Sequence, residues 1–224
     1  MRRGKTMREI VRLSKLEGKR YCLETAIWSK AKKVILHHTW SPNSSQYTGP
    51  ETVRAIQRYH VEERGWKDIG YHLLIAPNGD TYPGRPMTEY GAHCTGQNEH
   101  IGVACIANFD EEDPYAWGGI DQLRECLSIL LSRMKVGVQG LHFHTEYAAD
   151  KSCPGKRMRL SMRVELLSRN QNGVKVVGPD GTTISCNARL ENNAVVRVDL
   201  RQFAEELGYV VDASKWPVIL IRRH

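Results

Sequence analysis

The chain has 224 residues, 32 Lys and Arg against 25 Asp and Glu, a net charge of +7 and 41% hydrophobic residues. That balance is globular and excludes a disordered tail or a collagen-like repeat. The longest apolar runs, such as Val34-Ile35-Leu36 and Val218-Ile219-Leu220-Ile221, fall far short of the about 20 residues that a membrane-spanning helix needs.

The charge is unevenly spread. Residues 1–33 hold eleven basic and three acidic groups, residues 34–150 eight and fifteen, and residues 151–173 six and one. A nucleic-acid face needs positive charge across the folded body, so no nucleic-acid partner is expected. The basic ends instead favour approach to an anionic polymer of any kind. Residues 1–32 read as a basic extension without the apolar core of about 7–15 residues that a secretory signal carries. This implies synthesis and folding in the cytoplasm. The six cysteines, at 22, 94, 105, 126, 153 and 186, show no CxxC pairing. Most read as free, buried thiols.

In chain order, Lys33 to Thr39 reads as a buried strand ending in polar residues. Thr48-Gly49-Pro50-Glu51 has capping-box spacing with an early proline. The helix it opens carries Val53, Ile56 and His60 on one face and stops at Gly65. Tyr71 to Ile75 is a strand, and Pro77-Asn78-Gly79-Asp80 turns it back into Thr81-Tyr82. Ile101 to Ala107 is strand-like. Ile120, Leu123, Leu127, Leu130 and Met134 repeat every three or four residues, which predicts a long amphipathic helix. Val138 to His144 predicts another strand, followed by a last basic helix. Alternating strands and helices indicate an α/β domain over residues 33–169.

After a linker at 170–173, short strands surround a turn at 178–181 and lie at 194–198 and 217–221, with a short helix at 200–208. These define a separate α+β module over residues 174–224, with a modest core of its own.

The residues able to do chemistry are spread along this order. His37 and His38 close one strand. His142 and His144 alternate along another and so share a face. Cys153 follows nine residues after His144, before Pro154-Gly155. Two imidazoles and a thiolate leave one tetrahedral zinc position open for water. The same spacing equally suits buried, hydrogen-bonded histidines and an inert cysteine. Lys151 could bring a cation to such a metal, and Tyr71 could reach a cleft or simply pack.

The ordered segments VILHHT, DIGYHLLI, PNGDTYPGR, GAHCTGQNEHIGVA and HTEYAADKSCPG resemble the zinc-dependent N-acetylmuramoyl-L-alanine amidases of type 2. That group includes the bacteriophage lysozyme-type endolysins and the peptidoglycan recognition proteins. The resemblance spans about residues 33–169. It implies a central mixed β-sheet flanked by helices, with a zinc cleft at one edge. Position by position, it implies that His37, His144 and Cys153 hold Zn2+ and that Tyr71 and Lys151 are catalytic. It further implies that Trp40, His93 and Asn98 line the substrate groove. Two departures stand out: the interval from His144 to Cys153 is one residue longer than the commonest spacing, and His142 offers a competing imidazole. Glu146 falls where the lysozyme-like branch has a glutamate, which favours His144.

The implied activity is zinc-assisted hydrolysis of the amide between N-acetylmuramic acid and L-alanine in bacterial peptidoglycan. The alternative is a recognition module that binds muropeptides without cutting them. The runs VKVVGPDGTTISC and RLENNAVVRVDLRQFAEELGYVVD within residues 174–224 are similar to a small wall-associated domain found in stalk-like repeats of Gram-positive surface proteins, which implies wall anchoring; a stabilising or self-associating appendage is the alternative. Together these features suggest a phage or prophage endolysin, made in the host cytoplasm and acting on the wall once the membrane is breached; a bacterial autolysin leaving by another route is the alternative.

Overall fold

Five consecutive buried residues, Val34–His38, form the central strand β1. A strand with both faces covered reads as a continuous apolar run, and helices packed on the two sides of a parallel sheet cover both faces. β1 pairs in parallel with β4 (Ile101–Cys105) on one side and β5 (Leu141–Phe143) on the other. β2 (Leu73–Ile75) runs parallel to β4 and antiparallel to β3 (Thr81–Pro83), giving the order β3-β2-β4-β1-β5. This computed structural model describes residues 7–167 and, beyond them, the backbone of six short strands.

The pleat sends alternate residues to opposite faces. Val34, Leu36, Leu73, Val103 and Phe143 enter the larger core, which α3 (Ile120–Met134) covers. The expected stripe is seen on that helix, with Leu123, Leu127 and Leu130 fully buried. Burying each such leucine contributes roughly 1.5–3 kcal/mol. On the other face, Leu74 and Ala104 pack with Val53 and Ile56 of α2 (Pro50–Arg58). His37 belongs to neither hydrophobic cluster, although its ring is buried.

α2 differs from expectation at its start. Its cap is Gly49 without a side-chain bond, and Thr48 instead shares a hydrogen bond with the Thr52 hydroxyl at 3.1 Å. The helix runs on as a π-turn, Tyr59–Glu63, and ends before Gly65 at φ +68°.

From residue 7 onward, the basic N-terminal segment is packed into the body. Ser14 and Glu17 form a reciprocal capping box for α1 (Lys15–Glu24), which lies against α3. Gly18 makes the approach close, since a Cβ there would meet the Thr81 hydroxyl at 2.4 Å. Arg133 donates to the Cys22 and Thr25 carbonyls at the end of α1, at 2.8 and 2.7 Å. Arg12 pairs with Asp80 at 2.6 Å.

β5 is shorter than expected, because a 3-10 turn occupies Val138–Gly140 and a second begins at His144. α4 (Met162–Leu167) closes this unit. Among the described residues, Cys22, Cys94, Cys105, Cys126 and Cys153 are free thiols, and no helix is long and apolar enough to cross a membrane.

The chain divides into two units, Met1–Leu167 and Ser168–His224. The second contains three antiparallel pairs: β6 (Val174–Val177) with β7 (Thr183–Cys186), β8 (Ala188–Glu191) with β9 (Val195–Val198), and β10 (Tyr209–Asp212) with β11 (Ile219–Arg222). The linker at 170–173, the turn at 178–181 and the helix expected at 200–208 lie outside the described residues.

Candidate metal centre

Three segments bring three donors together. His37 comes from the end of β1, His144 from the turn after β5, and Cys153 from the loop beyond it. Their ligand atoms lie within 4.8 Å of one another. The His37 and His144 rings stand 4.6 Å apart between centroids, and His37 Nδ1 lies 3.5 Å from Cys153 Sγ.

The turn after β5 decides which histidine takes part. Glu146 folds back to accept the Phe143 N–H at 2.6 Å, which ends the strand one residue before His144. His142 and His144 therefore do not share a strand face, contrary to the expectation from alternation. His142 Nδ1 faces Glu146 at 3.3 Å and the Tyr147 hydroxyl at 3.0 Å. His144 swings toward His37. His38 points to the opposite face from His37, where its Nδ1 accepts the Phe109 N–H at 3.0 Å.

The cysteine loop is anchored at several points. The Thr145 N–H donates to the Cys153 carbonyl at 2.7 Å. Asp110 accepts from the Ser152 hydroxyl and the Lys156 N–H, each at 2.8 Å. Gly155 adopts φ +124°, and a Cβ there would meet the Phe109 backbone at 2.5 Å. Only glycine fits that turn. Asp110 was not legible in the sequence: it lies 42 residues from Ser152, inside an acidic run that reads as surface charge.

Burial keeps the donors neutral. It holds His37 well below its ordinary value, helped by the neighbouring imidazoles and Lys151. It lowers His144 to about 4, with Lys151 adding to the effect, and it pushes the Cys153 thiol up to about 12. Two neutral imidazoles and a thiol that can lose its proton form the donor set of an open, three-ligand zinc site. The residues fit such an ion.

Around this group, the Tyr71 ring sits 5.3 Å from that of His37. Burial, then the proximity of Cys153, raises its phenol above the ordinary range. The loop before it is clamped by the buried Arg85, which donates to the Ile69, Tyr90 and Asp68 carbonyls at 2.8, 2.9 and 3.2 Å. Lys151 is exposed, and its charge acts on His37, His144 and Cys153. Trp40 is 62% exposed at φ +61°, three residues beyond His37.

His93 and Asn98, expected in the substrate groove, are used internally. His93 is buried, with its ring nitrogens 3.1 Å from His37 Nε2 and 3.1 Å from the His100 carbonyl. Asn98 Oδ1 accepts the N–H groups of His93 and Cys94 at 2.8 and 3.0 Å.

The family model for N-acetylmuramoyl-L-alanine amidase matches residues 28–156, more than half of the chain. The chain belongs to this amidase family. Its relatives include peptidoglycan-recognition protein LE of Drosophila melanogaster, 32% identical over 133 residues, covering 56% of this chain and 36% of that protein. The chain thus spans about a third of that relative. Among solved structures, a point mutant of Drosophila PGRP-LB in complex with tracheal cytotoxin aligns with TM-score 0.53 and 25% identity, covering 67% of this chain and 91% of that one. The N-acetylmuramoyl-L-alanine amidase LysC from Clostridium intestinale aligns with TM-score 0.52 and 26% identity, covering 64% and 90%. The mixed five-stranded sheet flanked by helices is therefore the fold of this amidase and recognition-protein family.

Proposed function

We propose that this amidase-family chain is a zinc hydrolase that cleaves the amide between N-acetylmuramic acid and L-alanine in bacterial peptidoglycan. The observation that carries the reading is the convergence of His37, His144 and Cys153 on one point, with Tyr71 beside it. A relative that holds tracheal cytotoxin supports a muropeptide as the ligand class.

His37, His144 and Cys153 would hold Zn2+, which supplies Lewis acidity that polarises a carbonyl and makes water nucleophilic near neutral pH. The protein's own residues do the rest. Tyr71 keeps its proton, because burial disfavours the phenolate. It therefore orients the attacking water, or the amide, as a hydrogen-bond donor. Lys151 contributes positive charge where oxyanion charge develops and where the leaving amine departs. Trp40, three residues beyond His37 in the chain, offers an exposed indole for the muramyl peptide.

A recognition module without hydrolysis is the second reading, favoured by the relatives named for recognition. Cys153 and Tyr71 weigh against it, since binding alone requires neither a third metal donor nor a phenol at the metal position. In the wider setting we propose, the chain is a phage or prophage endolysin, and residues 174–224 hold it to the wall or mediate self-association.

The deciding experiment incubates the purified chain with peptidoglycan, with and without a zinc chelator, and identifies new ends by mass spectrometry. New L-alanine amino termini on intact glycan strands, abolished by chelator and restored by zinc, are expected. Muropeptide binding with bound zinc but no new termini would establish the recognition reading instead.

A further inference from the structure

His93 supplies no atom to the three-donor group, yet both its ring nitrogens are committed. Nε2 lies 3.1 Å from the His100 carbonyl oxygen, and Nδ1 lies 3.1 Å from His37 Nε2. A carbonyl only accepts, so the His93 proton sits on Nε2. The ring is buried among imidazoles and a carbonyl, with no carboxylate among its hydrogen-bond partners to offset the charge of an imidazolium. Its Nδ1 therefore carries a lone pair. His37 Nε2 must carry the proton between the two rings, because two lone pairs cannot face each other. His37 is then left with a bare Nδ1, and that is the nitrogen 3.5 Å from Cys153 Sγ.

The surroundings hold His93 in this pose. A Cβ on Gly102 or on Gly91 would each approach His93 Cδ2 to 2.4 Å, so two glycines clear the slot for the ring. Gly102 sits in β4 beside β1, opposite Ile35 in the register. The Asn98 side chain grips the backbone of His93 and Cys94, and the Asn98 carbonyl accepts the Gly91 N–H at 2.8 Å.

We infer that His93 is a positioning residue: a relay from the His100 carbonyl through His93 locks His37 in its Nε2–H tautomer and aims the Nδ1 lone pair at the metal position. The backbone carbonyl sets the direction, since it alone in the chain cannot reverse. Partners of this kind fix the tautomer and orientation of metal-bound histidines, and losing them typically weakens metal binding by about 10–100-fold. The consequence for zinc rests on the function proposed above, whereas the tautomer does not.

Long-range 1H–15N NMR of the full, metal-free chain reads both rings directly. Protons on Nε2 of His37 and of His93 are expected, and a His37 proton on Nδ1 overturns the relay whatever zinc does. Zinc competition against a chromophoric chelator then tests the consequence. His93→Ala is expected to weaken zinc by about 10–100-fold. His93→Gln, whose amide can accept from His37 and donate to the His100 carbonyl, is expected to recover most of that loss. Unchanged affinity in a folded His93→Ala chain overturns the positioning role. If that variant does not fold, the wild-type tautomers still decide. A wild-type chain with the expected tautomers and no zinc binding removes the zinc reading and leaves the relay standing.

Discussion

Asp110 holds Ser152, the residue before Cys153, through a hydrogen bond of 2.8 Å to the serine hydroxyl. A second bond from the Lys156 N–H makes one carboxylate the clamp for both sides of the cysteine turn. Partial burial opposes its charge, yet these two bonds hold its carboxyl below the usual range. Removing it with Asp110→Ala leaves both donors without this partner. A loss of about 1–3 kcal/mol is expected in urea unfolding, together with weaker zinc binding in a competition titration. A variant as stable and as zinc-avid as wild type would remove the clamp from the site.

The choice of donor histidine is checked by metal stoichiometry. Cys153→Ser and His144→Ala are expected to lose the single zinc measured by atomic absorption, while His142→Ala keeps it. His142 faces Glu146 and Tyr147 instead, and its removal is expected to cost at most about 1 kcal/mol of stability. Retained zinc in His144→Ala with loss in His142→Ala would reverse the assignment.

Tyr71→Phe keeps the ring beside His37 and removes only the hydroxyl. Zinc affinity is expected to stay at the wild-type value while kcat on muropeptide falls by about 10²–10⁴-fold. Lys151→Ala is expected to lower kcat in the same direction with zinc retained. Wild-type turnover in Tyr71→Phe would remove the orienting role from the Tyr71 hydroxyl.

Acid should weaken the fold through buried histidines outside the three-donor group. His60 accepts the Gly70 N–H at 3.2 Å, and His72 accepts from Gly102 while donating to the Glu89 carbonyl. Burial lowers both to about 4. Their ordinary value is near 6.5, so between these limits the unfolded chain binds more protons. Their stabilisation is full above that range and is lost as pH falls through it, by on the order of 1–2 kcal/mol per ring at pH 5. Urea midpoints of the metal-free chain should drop from pH 7 to pH 5. A flat profile would mean that these rings are charged in the folded state.

Deleting residues 174–224 tests the proposed anchor. Binding to intact walls in a pelleting assay should fall by about tenfold or more, through lost local concentration. Cleavage of soluble muropeptides should not change. Equal wall binding by the truncated chain would leave that unit with a stabilising or self-associating role.

Much of the first unit was legible because hydrophobic periodicity is local. The buried run at β1, the three-and-four spacing of α3 and the Asn-Gly turn before β3 all depend on near neighbours in sequence. α1 was not, because KLEGKRYCLE offers few apolar residues and only Gly18 and Cys22 are buried. Its stability comes from its cap and from α3, and the second of these is far away in the chain. The length of β5 was misread for a related reason. Alternation continues through His144 in sequence, but the Glu146 carboxylate takes the Phe143 N–H and turns the backbone.

The sequence by itself determined the order of strands and helices, the family and the kinds of residue available for chemistry, since periodicity and ordered motifs are written along the chain. Only the tertiary structure decided which of those residues meet. It put His144 of the implied donor set beside His37 and Cys153, hydrogen-bonded His93 to His37, and gave Asp110 the cysteine turn. The His93 and Asp110 placements rest on hydrogen bonds between segments far apart in the chain, so the direction of those side chains depends on partners that spacing along the sequence does not encode.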